Sequence, residues 1–217
     1  MVPLTAFDPL VRSRSLLTHL FYAQKWNKGE LTPDNLRTYA KEYFYLVKRI
    51  PGIVARVRDR AIERGYDDAG SIERNILEEQ EHVELWKRFG HSLGLSDQEI
   101  GSHEPSPTVR EAVSELEALA EGSFEDGVAC MYALELDLPE IACSKKEGLC
   151  EFYGLNEDNK DAHVYFDEHL GEEAHLQVWR RVSIEPLRAR NVIARSLAAQ
   201  HKILDGVCDA CGLAMVC

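Results

Sequence analysis

Three dipeptides constrain this chain more than anything else in it. Asp8-Pro9, Thr32-Pro33 and Ser106-Pro107 each put a helix-capping side chain directly before a proline. Proline suits the first helical position, where its missing N–H is an orphan anyway and its fixed φ is already helical. The preceding oxygen accepts one of the remaining orphan N–H groups. Glycines at 29, 65, 94 and 206 then supply the matching stops. Between starts and stops the apolar residues recur at helical spacing, and no alternating run flanked by hairpin turns appears. The pattern implies an all-α chain, about seven main helices around one core.

In chain order, the first helix is expected from Asp8 to Lys28, burying Leu10, Leu16, Leu17, Leu20 and Phe21. The second carries Tyr39, Tyr43, Phe44 and Val47 until Pro51 and Gly52 kink or break it, and 53–64 resumes. A third long helix is expected over 71–92. Ser96 and Glu99 form a capping box for a short turn. Further helices are expected from Pro107 to near Gly122, over 124–147 with a bend at Pro139, over 161–182 after a break at 148–158, and over 186–205.

The 217 residues fit one domain, 1–217, with 206–217 as a flexible, cysteine-containing tail. Hydrophobic residues make up 45%, so a core can form without disulfides. Acidic residues outnumber basic ones 37 to 25, for a net charge of −12. That average repels nucleic acid and anionic membranes, and no basic run is long enough to reverse it. The N-terminal residues lack the basic-then-apolar order of a signal peptide, and no apolar run approaches the ~18 residues of a membrane span. A soluble, cytoplasmic protein is expected. Cys130, Cys143 and Cys150 fall in expected helices and read as reduced, packed thiols. Cys208 and Cys211 form a CxxC, with Cys217 beyond, but no second pair completes a zinc ribbon.

Two stretches carry chemistry. YFDEHLGEEAHLQVW (165–179) holds His169, Glu172, Glu173 and His175 within two helical turns, and ILEEQEHVELW (76–86) holds Glu78, Glu79, Glu81 and His82. Residues three or four apart share a helix face. That pairs His82 with Glu79 or Glu78, and groups His169, Glu172 and His175 over ~120°. Carboxylate with imidazole suits iron or manganese. Either stretch alone also reads as a solvated acidic face, the 76–86 stretch more so than 165–179. Glu135, among Met131, Tyr132, Leu134, Leu136 and Leu138, is a third candidate, since a carboxylate in apolar surroundings needs a partner. Two helices with Glu and His and a third with Glu match the plan of bundle di-metal sites. No GxGxxG, GxxxxGK[ST] or GxSxG is present.

With these residues in place, the chain resembles the family of the chlamydia protein associating with death domains, within the TenA/PqqC-like superfamily. The segments that carry the resemblance are HLFYAQKWNKGELT, LRTYAKEYF, NILEEQEHVELWKRFGHSLGL, SHEPS, GVACMYALELDLPEIA and YFDEHLGEEAH, over about 17–206. The resemblance implies a seven-helix heme-oxygenase-like bundle and a non-heme di-metal oxidase using dioxygen, with two iron ions or iron and manganese. It implies six ligands: Glu79, His82, Glu135, His169, Glu172 and His175. Two spacings depart from the family. Its first Glu and His usually stand further apart, and its H-x3-D-x2-H is here one residue shorter with Glu for Asp, so Glu173 rivals Glu172.

In relatives with known activity the product is p-aminobenzoate for folate, made from the protein's own tyrosine with a lysine as amino donor. The matching positions are Tyr22 and Lys145, with Tyr39 and Tyr165 near the site. An external reductant is implied, and analogy with the fold implies a homodimer. The rival readings are another oxidase of this fold acting on a free small molecule, and a helical interaction module without chemistry.

Overall fold

The computed structural model describes residues 1–171 and 176–213. The described helices are α1 (Asp8–Ser13), α2 (Pro33–Val47), α3 (Ile50–Arg64), α4 (Ala69–Ser92), α5 (Asp97–Gly101), α6 (Pro107–Glu121), α7 (Phe124–Glu135), α8 (Leu138–Glu151), α9 (Lys160–Glu168), α10 (Leu176–Arg180) and α11 (Pro186–Ala210). The all-α expectation holds. β1 (Val2–Pro3) pairs antiparallel with β2 (Ser183–Ile184), two residues each, which is too short to leave a period in the sequence.

Two of the three proline-opened starts form as the sequence indicates. At Asp8-Pro9 the helix begins one residue early, with Phe7 as N-cap and Asp8 inside the first turn, where its carboxylate accepts from the Tyr132 hydroxyl instead of capping. Thr32 and Asn35 make a reciprocal capping box on α2, and Ser106 accepts from the Val109 N–H at the start of α6. The chain leaves α3 through Gly65 at φ 72°, a left-handed conformation that costs a side-chain-bearing residue dearly.

Several boundaries differ from expectation. The first helix does not run to Lys28. It stops at Ser13, because Ser15 caps a separate 3-10 turn over Leu16–Thr18 and His19 turns extended at ψ 143°. A π-type turn, Phe21–Lys25, follows. The expected bend at Pro139 is a full break between α7 and α8, since proline cannot supply the N–H that would continue the helix. Gly148 does not end α8. It lies inside the helix, where a Cβ would sit 2.4 Å from the Trp26 Nε1. Gly206 likewise sits inside α11, which continues to Ala210, so 206–210 are not a tail. A Cβ there would fall 2.7 Å from Val109 Cγ2. Both glycines serve close packing, not termination. Cys130 and Cys208 are buried, while Cys143 is exposed instead of packed.

The fold is arranged so that α11 packs along α6 and α7, α4 lies between α3 and α9, and α2 bridges α4 and α11. The core divides in two. One part is mainly aliphatic, from α3, α6, α7 and α11; the other is rich in aromatic rings, including Phe21, Tyr22, Trp26, Tyr39, Trp86, Phe89 and Phe166.

Candidate metal centre

A cavity of about 50 Å³ opens between these two halves. Its lining includes Glu79 from α4, Glu135 from α7, and Tyr165 and His169 from α9 and its end. Tyr43, Met131, Leu134 and Gln200 line it as well. Three of the six expected ligands thus share one enclosure, with His82 beside it.

Each of these side chains is held by its neighbours. Glu79 and His82 are both buried and meet at 3.2 Å, Oε2 to Nδ1. The His82 and His169 rings lie 4.5 Å apart, centroid to centroid. His169 Nδ1 stands 2.7 Å from the Tyr165 carbonyl, which can only accept. The proton of the neutral ring is therefore on Nδ1 and the lone pair on Nε2. Burial, and then the neighbouring His82, push the His169 pKa down to about 4, so the ring is neutral at ordinary pH. Glu135 accepts from the Trp179 Nε1–H at 2.7 Å, which ties α10 to α7.

The expected single helix over 161–182 is interrupted. α9 ends at Glu168, His169 is its C-cap, and Leu170 and Gly171 are not helical. The ~120° face argued from an unbroken helix does not apply across that break. Short turn bonds, His169 N–H to the Phe166 carbonyl and Leu170 N–H to the Asp167 carbonyl, tighten the end of α9, and Gly171 has little helical preference. Glu172, its rival Glu173, and His175 lie outside the described residues, as does Cys217. Among the described residues, no three His, Cys, Asp or Glu side chains stand close enough to hold one ion. The donor chemistry nonetheless fits a hard or borderline metal: buried carboxylates, and an imidazole whose second nitrogen is fixed by a backbone carbonyl.

Tyr22, Tyr39 and Lys145 form a second cluster against the same wall. Lys145 is buried, its Nζ 5.2 Å from the Tyr39 ring centroid, 4.9 Å from Tyr43, 5.6 Å from Trp86 and 5.3 Å from Phe166. Aromatic faces attract a cation weakly, but they do not replace the water that burial removes. Desolvation wins and lowers the Lys145 pKa to about 7. Burial also raises the Tyr22 and Tyr39 phenols well above the usual range. The Tyr22 hydroxyl lies near enough to that of Tyr39 for each to shift the other, although the Tyr39 hydroxyl makes no hydrogen bond of good geometry.

Trp86 joins the two clusters. It stacks on Tyr43 at 5.2 Å and meets Tyr165 edge-on at 4.8 Å, with its Nε1–H fixed on the Ala40 carbonyl at 2.8 Å. Sequence reasoning did not single out Trp86, Tyr43, Phe166 or Trp179 for the site. Tyr43 was detectable as the i+4 neighbour of Tyr39, whereas Phe166 and Trp179 reach the site only through tertiary packing.

A helical bundle with a buried carboxylate and imidazole cavity between aromatic and aliphatic halves defines the class. Residues 11–203 match the TENA/THI-4/PQQC family, and the chain belongs to it. It is 34% identical to the 4-aminobenzoate synthase of Chlamydia trachomatis over 182 residues, which covers 80% of this chain and 74% of that protein. A TenA homologue from Pseudomonas syringae superposes with a TM-score of 0.74 at 17% identity, over 95% of this chain and 91% of that one. A CADD-like protein of unknown function from Nostoc punctiforme superposes with a TM-score of 0.66 at 17% identity, covering 95% of this chain and 96% of that one. Among the described residues, no helix is long and apolar enough to cross a membrane.

Proposed function

We propose that this chain makes p-aminobenzoate from its own Tyr22, with Lys145 as the amino donor, dioxygen as oxidant and an external reductant. Glu79, His82, Glu135 and His169, with Glu172 and His175, would hold two ions, iron or iron with manganese. Such a pair, when bound, supplies the oxygen activation that no side chain provides unaided. The chain's own part is to bring a phenol and an uncharged amine together in a dry place. The observation that carries the reading is Lys145 itself. Its amine is buried among four rings, its pKa is lowered to about 7, and Tyr39 is neighbour both to it and to Tyr22. A neutral amine is a nucleophile and an ammonium is not.

The cavity supports a reaction on an internal ring. About 50 Å³ holds a few water-sized groups. A dry cavity of roughly 150 Å³ takes up one benzene ring.

The test uses the full chain, reduced, supplied with iron or iron and manganese, and exposed to oxygen. Free p-aminobenzoate should appear with a matching mass loss that peptide mapping places at Tyr22. Tyr22→Phe and Lys145→Met should each give none. Product formed from an added small molecule with the Tyr22 mass unchanged would overturn the reading in favour of an oxidase with a free substrate. The same preparations, run on a sizing column with light scattering, test the homodimer.

A further inference from the structure

Three consecutive N–H groups around Tyr22 end on one residue. The Phe21 N–H donates to His19 Nδ1 at 3.0 Å. The Tyr22 and Ala23 N–H groups both donate to the His19 carbonyl at 3.0 Å. His19 thus starts the π-type turn Phe21–Lys25 with both its backbone and its ring. Turns of this kind are uncommon and concentrate at functional sites.

The ring is itself fixed. Since Nδ1 accepts, the proton of the neutral imidazole sits on Nε2, which lies 3.0 Å from Asp205 Oδ1 on α11. Burial lowers the His19 pKa and so favours that neutral form. One turn earlier on α11, His201 meets the His19 ring edge-on at 5.4 Å, and its Nε2 lies 2.9 Å from the Arg14 carbonyl. The stretch from Arg14 to Ala23 is therefore tied to α11 at two points. His19 is buried, while Asp205 is largely exposed. An exposed carboxylate that holds a buried ring adds little to the core.

We propose that His19, oriented by Asp205, is a positioning residue for Tyr22, fixing the turn that aims its ring at Tyr39 and the Lys145 cluster. This rests on the reading of Tyr22 as the reacting ring. His19 acts through that backbone and does not touch the reacting atoms.

Three full-length variants test it: His19→Leu, His19→Asn and Asp205→Ala. Asparagine is the informative one, because its side-chain oxygen accepts the N–H two residues on, in an Asx-turn. It restores the Phe21 bond without an imidazole. Amide hydrogen exchange at 21–23 and p-aminobenzoate released per chain are read together, with the melting temperature as control. His19→Leu should speed exchange at those amides at least tenfold and cut the yield at least fivefold. His19→Asn should recover at least half of both. Asp205→Ala should fall between, with its melting temperature within a few degrees of the parent. Unchanged exchange in His19→Leu, a lost yield with unchanged exchange, or no recovery in His19→Asn would each overturn the proposal. If the parent protein yields no p-aminobenzoate and keeps Tyr22 intact, the functional reading fails, and exchange at 21–23 alone then decides whether His19 fixes the turn.

Discussion

The His82 and His169 rings stand 4.5 Å apart at the meeting of α4 and the end of α9, both buried. Two imidazoles so close and so dry do not both carry charge, and the His169 pKa lies near 4 accordingly. The neutral His169 ring, with His82 beside it and Glu79 and Glu135 in the wall, offers nitrogen and oxygen donors to one enclosure. The first prediction follows. Purified from cells, the chain should carry iron or manganese, and His82→Ala or Glu79→Ala should lower metal affinity at least tenfold, with the helical signal in circular dichroism unchanged. Metal analysis by plasma mass spectrometry checks it, and equal metal content in parent and variants would rule these residues out as ligands.

Lys145 makes a prediction whose sign depends on pH. An unburied lysine titrates near ~10.4. In the folded chain burial brings Lys145 to about 7. Between those values the unfolded chain binds one more proton than the folded one, so stability rises with pH across that window. Below pH 7 the folded state bears the full cost of a buried charge. At ~1.4 kcal/mol per unit the upper bound is about 5 kcal/mol. Water entering the site reduces that, and Lys145→Met should gain about 2 kcal/mol at pH 6, or about 4–8 °C in melting temperature. The gain should shrink toward zero near pH 10. Thermal melts of both proteins at pH 6, 8 and 10 measure it. A variant less stable than the parent at pH 6 would contradict it.

The bond from Trp179 to Glu135 is where the short helix α10 grips the cavity wall. In Trp179→Phe the ring stays apolar but the donor is gone, and a buried carboxylate loses one of its hydrogen bonds. That costs about 1–3 kcal/mol. Urea unfolding should show the midpoint fall with little change in slope, and metal affinity should fall with it, since Glu135 is no longer held in one orientation.

The helical class was legible because its signals are local. A cap side chain before Pro33 or Pro107 needs only its own turn to act, and both helices start there. Glycine was the ambiguous letter. Gly29 and Gly94 take positive φ, as stops do, but Gly148 and Gly206 are small because Trp26 and Val109 press on them from distant parts of the chain. Nothing within a few residues separates the two uses. The site divides the same way. Glu135 is visible as a carboxylate in apolar surroundings, and Glu79, His82 and His169 as carboxylate and imidazole at helical spacing; Glu79, Glu135 and His169 line one cavity. The Lys145 box is not visible in this way, since its rings come from α2, α4 and α9 and each alone looks like core.

Gly148 allows that distinction to be tested at the site. The Trp26 indole donates to the Ser144 carbonyl at 3.3 Å and lies across the backbone of Gly148. Its ring also contacts Tyr22, at 6.2 Å between centroids, and Tyr39, at 5.8 Å. Gly148→Ala would place a Cβ 2.4 Å from Nε1, so the indole must shift and the rings beside it must follow. Overpacking of this kind costs about 1–3 kcal/mol. Gly70→Ala in α4 is the control, because a Cβ there meets nothing within 4 Å. Alanine at 70 should leave stability equal or slightly higher, by at most ~1 kcal/mol. Alanine at 148 should lower the urea midpoint and also reduce p-aminobenzoate per folded chain, because the displaced indole moves Tyr22 relative to Lys145. If Gly148→Ala lost stability but kept full yield, Trp26 would be a packing residue only, and the alignment of Tyr22 would rest on the turn that His19 begins.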